Sequence, residues 1–269
     1  MAQALMGAWV FCVFENSKDD ARMIFRRTIF SALIVGLMAG MVLSLFQVLS
    51  VNPIIFAAET FEIESSHDHG SHDHSAEAWS PEDGTERTGY TILANVSAGI
   101  GFAAVLLALM SQLQLQAITR LTLLKGLAWG VAGFTVFFVA PGIGLPPEIP
   151  GIEAKPVEHR QTWWLFTVIL VALGLLVIAF APLKFKALGL VSLALPYLVT
   201  IPHHQGPAFA HPDAQAVETL TRLHQEFIVA SGMSNLAFWL VLGLASAWLL
   251  NAWVLKGVDS EHSGNVSGA

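Results

Sequence analysis

The sequence predicts an all-α integral membrane protein, a bundle of six transmembrane helices, or five if the weakest segment does not cross. Composition is the first reason: 54% of residues are apolar and 12% charged, about half the charge of an ordinary soluble domain, with a mean hydropathy of +0.61. The second is six apolar segments, at 28–51, 89–110, 123–141, 163–181, 187–201 and 227–255, most of them near the 20 or so residues needed to cross roughly 30 Å of hydrocarbon. The third is charge sidedness. Threading six spans with the basic excess in the cytoplasm puts Lys18, Arg22, Arg26, Arg27, Arg120, Lys125, Lys184, Lys186 and Lys256 inside, against Arg87, Lys155, Arg160 and Arg222 outside.

Residues 1–22 read as neither a span nor a signal, because the apolar stretch before Glu15 is short and the basic run Arg22, Arg26, Arg27 follows it. They are expected to be an extension ahead of a membrane domain at 23–256, with a short interfacial helix as the alternative. Span one, 28–51, carries Gly36 and Gly40 beside Ala32 and Ala39, a small-residue stripe suited to close helix packing. An outer loop at 60–88 follows; from Ser65 to Thr88 its only large apolar residue is Trp79, too little to fold alone. Span two contains Asn95, Gly99 and Gly101, and span three ends at Pro141. The next outer loop, APGIGLPPEIPG from Ala140 to Gly151, has its backbone stiffened by Pro146, Pro147 and Pro150. Trp163 and Trp164 suit an interfacial belt where span four enters. Span five is the weak one: 187–201 is long enough only if Lys184 and Lys186 snorkel. Residues 257–269 form a polar tail.

This threading places nine of ten histidines and fifteen of twenty carboxylates on the outer face, which suits divalent cations. A single cysteine, Cys12, excludes an internal disulfide and a thiolate cluster, leaving nitrogen and oxygen ligands. His67, His69, His72 and His74, with Asp68 and Asp73, form the repeat HDHGSHDH, a histidine-rich metal signature. Such a cluster favours nickel or copper over cobalt on intrinsic affinity and so concentrates metal without choosing cobalt. His203 and His204 after segment five are candidates for a second site on the same face, with His211, Asp213, His224 and Glu226 nearby in sequence. Gln47, Asn95 and Asn235 are the candidate polar pathway, since no carboxylate falls near a membrane midplane; helix-to-helix hydrogen bonding is the commoner role for such amides. No phosphate-binding loop, HExxH motif or serine–histidine signature points to an enzyme, and nothing points to nucleic acid or a tightly bound cofactor.

Several segments together resemble the CbtA-type proposed cobalt transporter subunit family. They are MIFRR from Met23, Ala58-Glu59 with Glu62, Trp79-Ser80-Pro81 with Gly84 and Arg87, Trp129-Gly130, the proline loop, RQTWW from Arg160, and Leu195-Pro196. The resemblance runs from about Met23 to Lys256. It implies a multi-pass bacterial inner-membrane protein linked to cobalamin biosynthesis. It also implies a small CbtB-type partner with one span and a histidine-rich tail, and a transported divalent metal, cobalt or else nickel or zinc. Family members are described with five spans, and the HDHGSHDH repeat stands outside the shared pattern. Of the family-matching charges, Glu59 and Glu62 are candidates to receive metal from the loop, whereas Glu148 and Arg160 are expected to pair and brace the proline loop. Two functions follow: a subunit of a divalent-metal uptake system, or a non-transporting metal buffer, sensor or assembly protein facing the periplasm.

Overall fold

The computed structural model describes the backbone of residues 2–67, 81, 84–204 and 206–256, with side chains from residue 22 onward except 62–67. Among these the fold is all-α: α1 Ala2–Phe46, α2 Asn52–His67, α3 Thr85–Leu115, α4 Leu123–Phe134, α5 Ala140–Gly144, α6 Val157–Phe180, α7 Lys186–Leu198 and α8 Ala214–Leu249. Three wide π turns, Gln47–Val51, Thr135–Val139 and Leu250–Val254, continue α1 into α2, α4 into α5, and extend α8. Among the described residues, five helical stretches are long and apolar enough to cross a membrane: Arg22–Phe61, Thr85–Leu115, Leu123–Gly144, Val157–Phe180 and Ala214–Val254. The chain is thus a multi-pass, all-α membrane protein.

Of the two counts the sequence allowed, five is the number of helical spans, because the segment expected at 187–201 folds as only 13 residues, α7. Pro196 lies inside that helix and removes a backbone donor near its end. The chain nevertheless returns along α6. Gly174 and Gly189 sit face to face, each carbonyl 2.9 Å from where the other's Cβ would stand. The Ser192 hydroxyl donates to the Leu170 carbonyl at 2.7 Å, and the Tyr197 hydroxyl to that of Ala140 at 2.8 Å. Beyond α7 the non-helical stretch reaches Phe209, which bridges Ile152, ahead of the start of α6. A half-length helix and an extended segment therefore retrace the whole of α6.

The chain divides into two compact units. The first comprises Met1–Met41, Leu93–Gly130 and Leu240–Ala269. In it α1 and α3 meet backbone to backbone: a Cβ on Gly40 would lie 2.5 Å from Val96 Cα, and one on Gly36 would overlap Ile100. This is the close approach anticipated from the Gly36/Gly40 stripe. The same device joins α4 to α8, where a Cβ on Gly126 would fall 2.5 Å from that of Ala247 and 2.8 Å from the Gly243 carbonyl. Arg27 donates to the carbonyls of Trp253 and Lys256, both at 3.2 Å, and Asn251 to the Leu121 carbonyl at 3.2 Å. The early turns of span one and the end of α8 therefore share one end of this unit.

The second unit comprises Val42–Ile92 and Val131–Trp239. Ala58, Ile149, Phe209, Leu220 and Leu223 form one of its cores, drawing together α2, the proline loop, the extended return segment and α8. Another, of Val136, Ala140, Val168 and Val171, joins the wide turn after α4 to α6.

Glycine packing yields a direct test. Gly40→Val should destabilise the protein by about 1–3 kcal/mol, as overpacking does, because the obstacle is the α3 backbone. Gly101→Ala, which meets nothing within 4 Å, should be neutral or stabilise by up to about 1 kcal/mol through helix propensity. Thermal unfolding in detergent, scored by loss of monodisperse protein, distinguishes the two.

Candidate functional site

The histidine- and carboxylate-bearing surface of the second unit is assembled from two ion pairs, a histidine strut and one cavity. On α2 and α3, Glu59 is clamped by Arg87 in a fork, with Nη2–Oε1 at 2.6 Å and Nη1–Oε2 at 3.1 Å. The Arg87 guanidinium also stacks 4.9 Å above the Phe56 ring. Both side chains are about seven-tenths covered, so this bidentate pair is stronger than an exposed one.

The proline loop is held by three contacts from separate elements. Glu148 pairs with Arg160 of α6 at 2.5 Å, the bracing expected for these two residues. The Pro147 carbonyl meets Nε2 of His224, from α8, at 2.9 Å. Ile149 is 3% exposed, inserted among Ala58, Phe209 and Leu220. Proline cannot donate a backbone hydrogen bond. Side chains from other elements therefore help to position a loop in which Pro146, Pro147 and Pro150 donate no backbone hydrogen bond.

Beside this loop opens a cavity of about 290 Å³, lined by Ala58 and Phe61 of α2, Gly151, Glu153, His211 and Leu220, with Phe209 and Ala210 completing it. Glu153 is positioned by its own backbone, whose N–H donates to the Ala208 carbonyl at 3.0 Å. Nε2 of His204 lies 3.7 Å from its carboxylate. The His211 ring meets Phe61 edge-on at 6.3 Å, and its Nδ1 accepts from the Asp213 backbone N–H at 3.1 Å. The surface thus offers one carboxylate and two imidazoles around a half-open pocket. Among the described residues, no three histidine, cysteine, aspartate or glutamate side chains converge closely enough to enclose an ion.

The expected site residues distribute unevenly over this arrangement. Glu59 is a structural partner of Arg87 here, so a metal could take it only in competition with a guanidinium. His204 reaches Glu153, whereas the exposed His203 shows a backbone bond to the Ile201 carbonyl at 2.8 Å. Glu62 and His67 belong to α2, with side chains outside the described set; Asp68, His69, His72, Asp73 and His74 lie outside the described residues altogether. Of the candidate pathway amides, Asn235 donates to the Ser231 carbonyl of its own helix at 3.0 Å. Gln47 opens the first π turn, and Asn95 sits on α3 where that helix meets Gly40.

Sequence reasoning did not single out Glu153 as a ligand, nor His224 as a strut. Each meets partners more than fifty residues away in the chain, and no local spacing marks such a pairing.

A double-mutant cycle on Glu59 and Arg87, read by unfolding in detergent, should give a coupling of about 1 kcal/mol or more, because the pair is forked and largely covered. The same cycle on the exposed Arg222–Glu226 pair, one helical turn apart with N···O at 3.3 Å, should give no more than about 0.5 kcal/mol.

No curated protein and no solved structure matches the chain. A family model described as "Probable cobalt transporter subunit (CbtA)" matches residues 25–251, a stretch that contains all five spanning helices except the first three residues of Arg22–Phe61 and the last three of Ala214–Val254, together with the proline loop and the cavity. By that match, over most of its length, the chain belongs to the CbtA family.

Proposed function

We propose that the chain is the membrane subunit of a divalent-cation uptake system, with cobalt as cargo, serving cobalamin biosynthesis in the inner membrane of a bacterium. In this reading His67, His69, His72 and His74, with Asp68 and Asp73, gather metal from the periplasm. The pocket of Glu153 and His211, with His204 beside Glu153, receives it, and a CbtB-type single-span subunit with a histidine-rich tail completes the path. The role is transport, without enzymatic chemistry and without a resident cofactor.

The observation that carries this reading is the continuity of α2. Phe61 lines the cavity that holds Glu153 and His211, and the same helix continues to His67, where the histidine repeat begins. Six residues of helix rise about 9 Å, so the backbone of His67 lies within about two turns of Phe61. A divalent ion must exchange its water for anionic oxygen or imidazole ligands before entering a membrane protein. A tethered cluster handing metal to a carboxylate-and-imidazole pocket provides that exchange in steps.

The histidine repeat and the pocket should have separable effects. A histidine cluster raises local metal concentration at the entrance, which matters only when metal is scarce. Replacing His67, His69, His72 and His74 with alanine should raise the half-saturating cobalt concentration severalfold with little change in maximal uptake. Glu153→Gln combined with His204→Ala should lower maximal uptake even at saturating cobalt. Glu59→Gln with Glu62→Gln, the other candidate receiving pair, should act more weakly, because Arg87 already occupies Glu59. Radiocobalt uptake, with surface expression matched and the CbtB-type partner present or absent, measures all three. Metal retention without uptake in every condition would favour the buffer or assembly role.

A further expectation concerns sidedness. Arg27 bonds the end of α8, so the start of span one and residue 256 should report the same compartment. A periplasm-active reporter fused after Lys256 should be silent; a strong signal would reverse the assigned orientation.

A further inference from the structure

We propose that Met23, Arg26, Arg27, Phe30 and Trp253 form a binding site for an anionic phospholipid. These five residues line a cavity of about 230 Å³ in the first unit. Two chemistries meet there. Arg26 and Arg27 contribute adjacent guanidiniums, while Met23, Phe30 and Trp253 contribute apolar walls that are 48%, 52% and 38% exposed.

The positive charge is not cancelled by a carboxylate among the described side chains. Arg27 spends two hydrogen bonds on neutral carbonyls, those of Trp253 and Lys256. The exposed Arg26 has no acidic partner among them. Across the described side chains of this unit, Arg22, Arg26, Arg27, Arg120, Lys125 and Lys256 stand with no aspartate or glutamate. A pocket of two guanidiniums calls for an anion, and phosphate oxygens match the guanidinium fork in pairs.

Depth and lining choose the kind of anion. The apolar segment of the first span runs from Thr28 to Val51, so Arg26 and Arg27 stand just ahead of it, at headgroup level. Phe30 lies one turn deeper, about 6 Å further along the helix axis. Trp253 sits in the π turn that extends α8, and indole rings favour the membrane interface. A free phosphate gains nothing from three apolar walls. A phosphodiester carrying acyl chains satisfies both halves of the pocket, its phosphate on the guanidiniums and the upper chain along Met23, Phe30 and Trp253. Basic pockets between spanning helices hold acidic headgroups by this division.

The test uses the full chain purified in a neutral detergent and titrated with phosphatidylglycerol, phosphatidylcholine or inorganic phosphate. Bound lipid is counted by native mass spectrometry. Quenching by lipids with brominated acyl chains, compared with the Trp253→Phe variant, isolates the Trp253 signal. Phosphatidylglycerol should bind and quench Trp253 more strongly than phosphatidylcholine, and inorganic phosphate should not displace it. Arg26→Gln should weaken phosphatidylglycerol binding about fivefold with an unchanged melting temperature, since Arg26 is exposed. Arg120→Gln, at a cation outside the pocket, should leave binding as it was. Equal binding of the two lipids would reduce the site to ordinary belt contact and overturn the proposal. Full displacement by inorganic phosphate would make it a free-anion site, and equal effects of Arg26→Gln and Arg120→Gln would make it diffuse surface charge; either outcome also overturns it.

Discussion

In hydrocarbon, two apolar helices gain nothing from hiding apolar surface, because the lipid around them is equally apolar. Cohesion must come from contact close enough for dispersion and backbone dipoles to act, and that requires the absence of side chains at the crossing. The helix contacts of this protein rest on that constraint. Gly36, Gly40 and Gly99 bring α1 onto α3, Gly126 and Gly243 bring α4 onto α8, and Gly174 and Gly189 bring α6 onto α7. At each place a single methyl group would collide with backbone or with a tightly held neighbour. The last pair has the widest consequence, since it lets a helix of only 13 residues run back along α6.

The histidine-bearing surface depends on that return. Once α7 delivers the chain to the start of α6, the stretch around Phe209 pairs with Ile152, Glu153 and His211 come to one pocket, and His204 stands beside Glu153. The proline loop contributes rigidity to the same place, held by Glu148–Arg160 and by the His224–Pro147 contact. Glu59 serves a related purpose: its fork with Arg87 ties α2 to α3, and so orients the helix that leads into the histidine repeat. Charge in this region is invested first in geometry. Glu153 and the imidazoles near it are less engaged than Glu59 and Glu148.

The two units differ in charge as well as in packing. The described side chains of the first carry arginine and lysine without carboxylates, whereas those of the second mix Glu59, Glu148, Glu153 and Glu226 with histidines and several cations. A basic surface at headgroup depth is attracted to acidic lipid. A mixed acidic and imidazole surface is suited to divalent cations.

What the sequence determined alone was whatever depends on composition and short-range pattern. Hydropathy located all five spanning helices, because the cost of exposing polar groups to lipid acts residue by residue. The spacing of Gly36 and Gly40 announced a close helix crossing, and the proline loop was recognisable as a stiff element from Pro146, Pro147 and Pro150. The family resemblance rested on the same continuous segments. The tertiary structure decided what depends on partners distant in the chain. The 15-residue, mainly apolar segment at 187–201 looks like a short span in isolation; the Gly174–Gly189 contact and the extended stretch after Leu198 make it a broken return. Glu59 reads as a free carboxylate until Arg87, twenty-eight residues on, is folded against it, and Glu153 reads as unremarkable until His204 and His211 are brought beside it. Hydropathy is additive along the chain and so can be read from it, whereas the pairing of charges and ligands is set by distances in space that only the packed helices define.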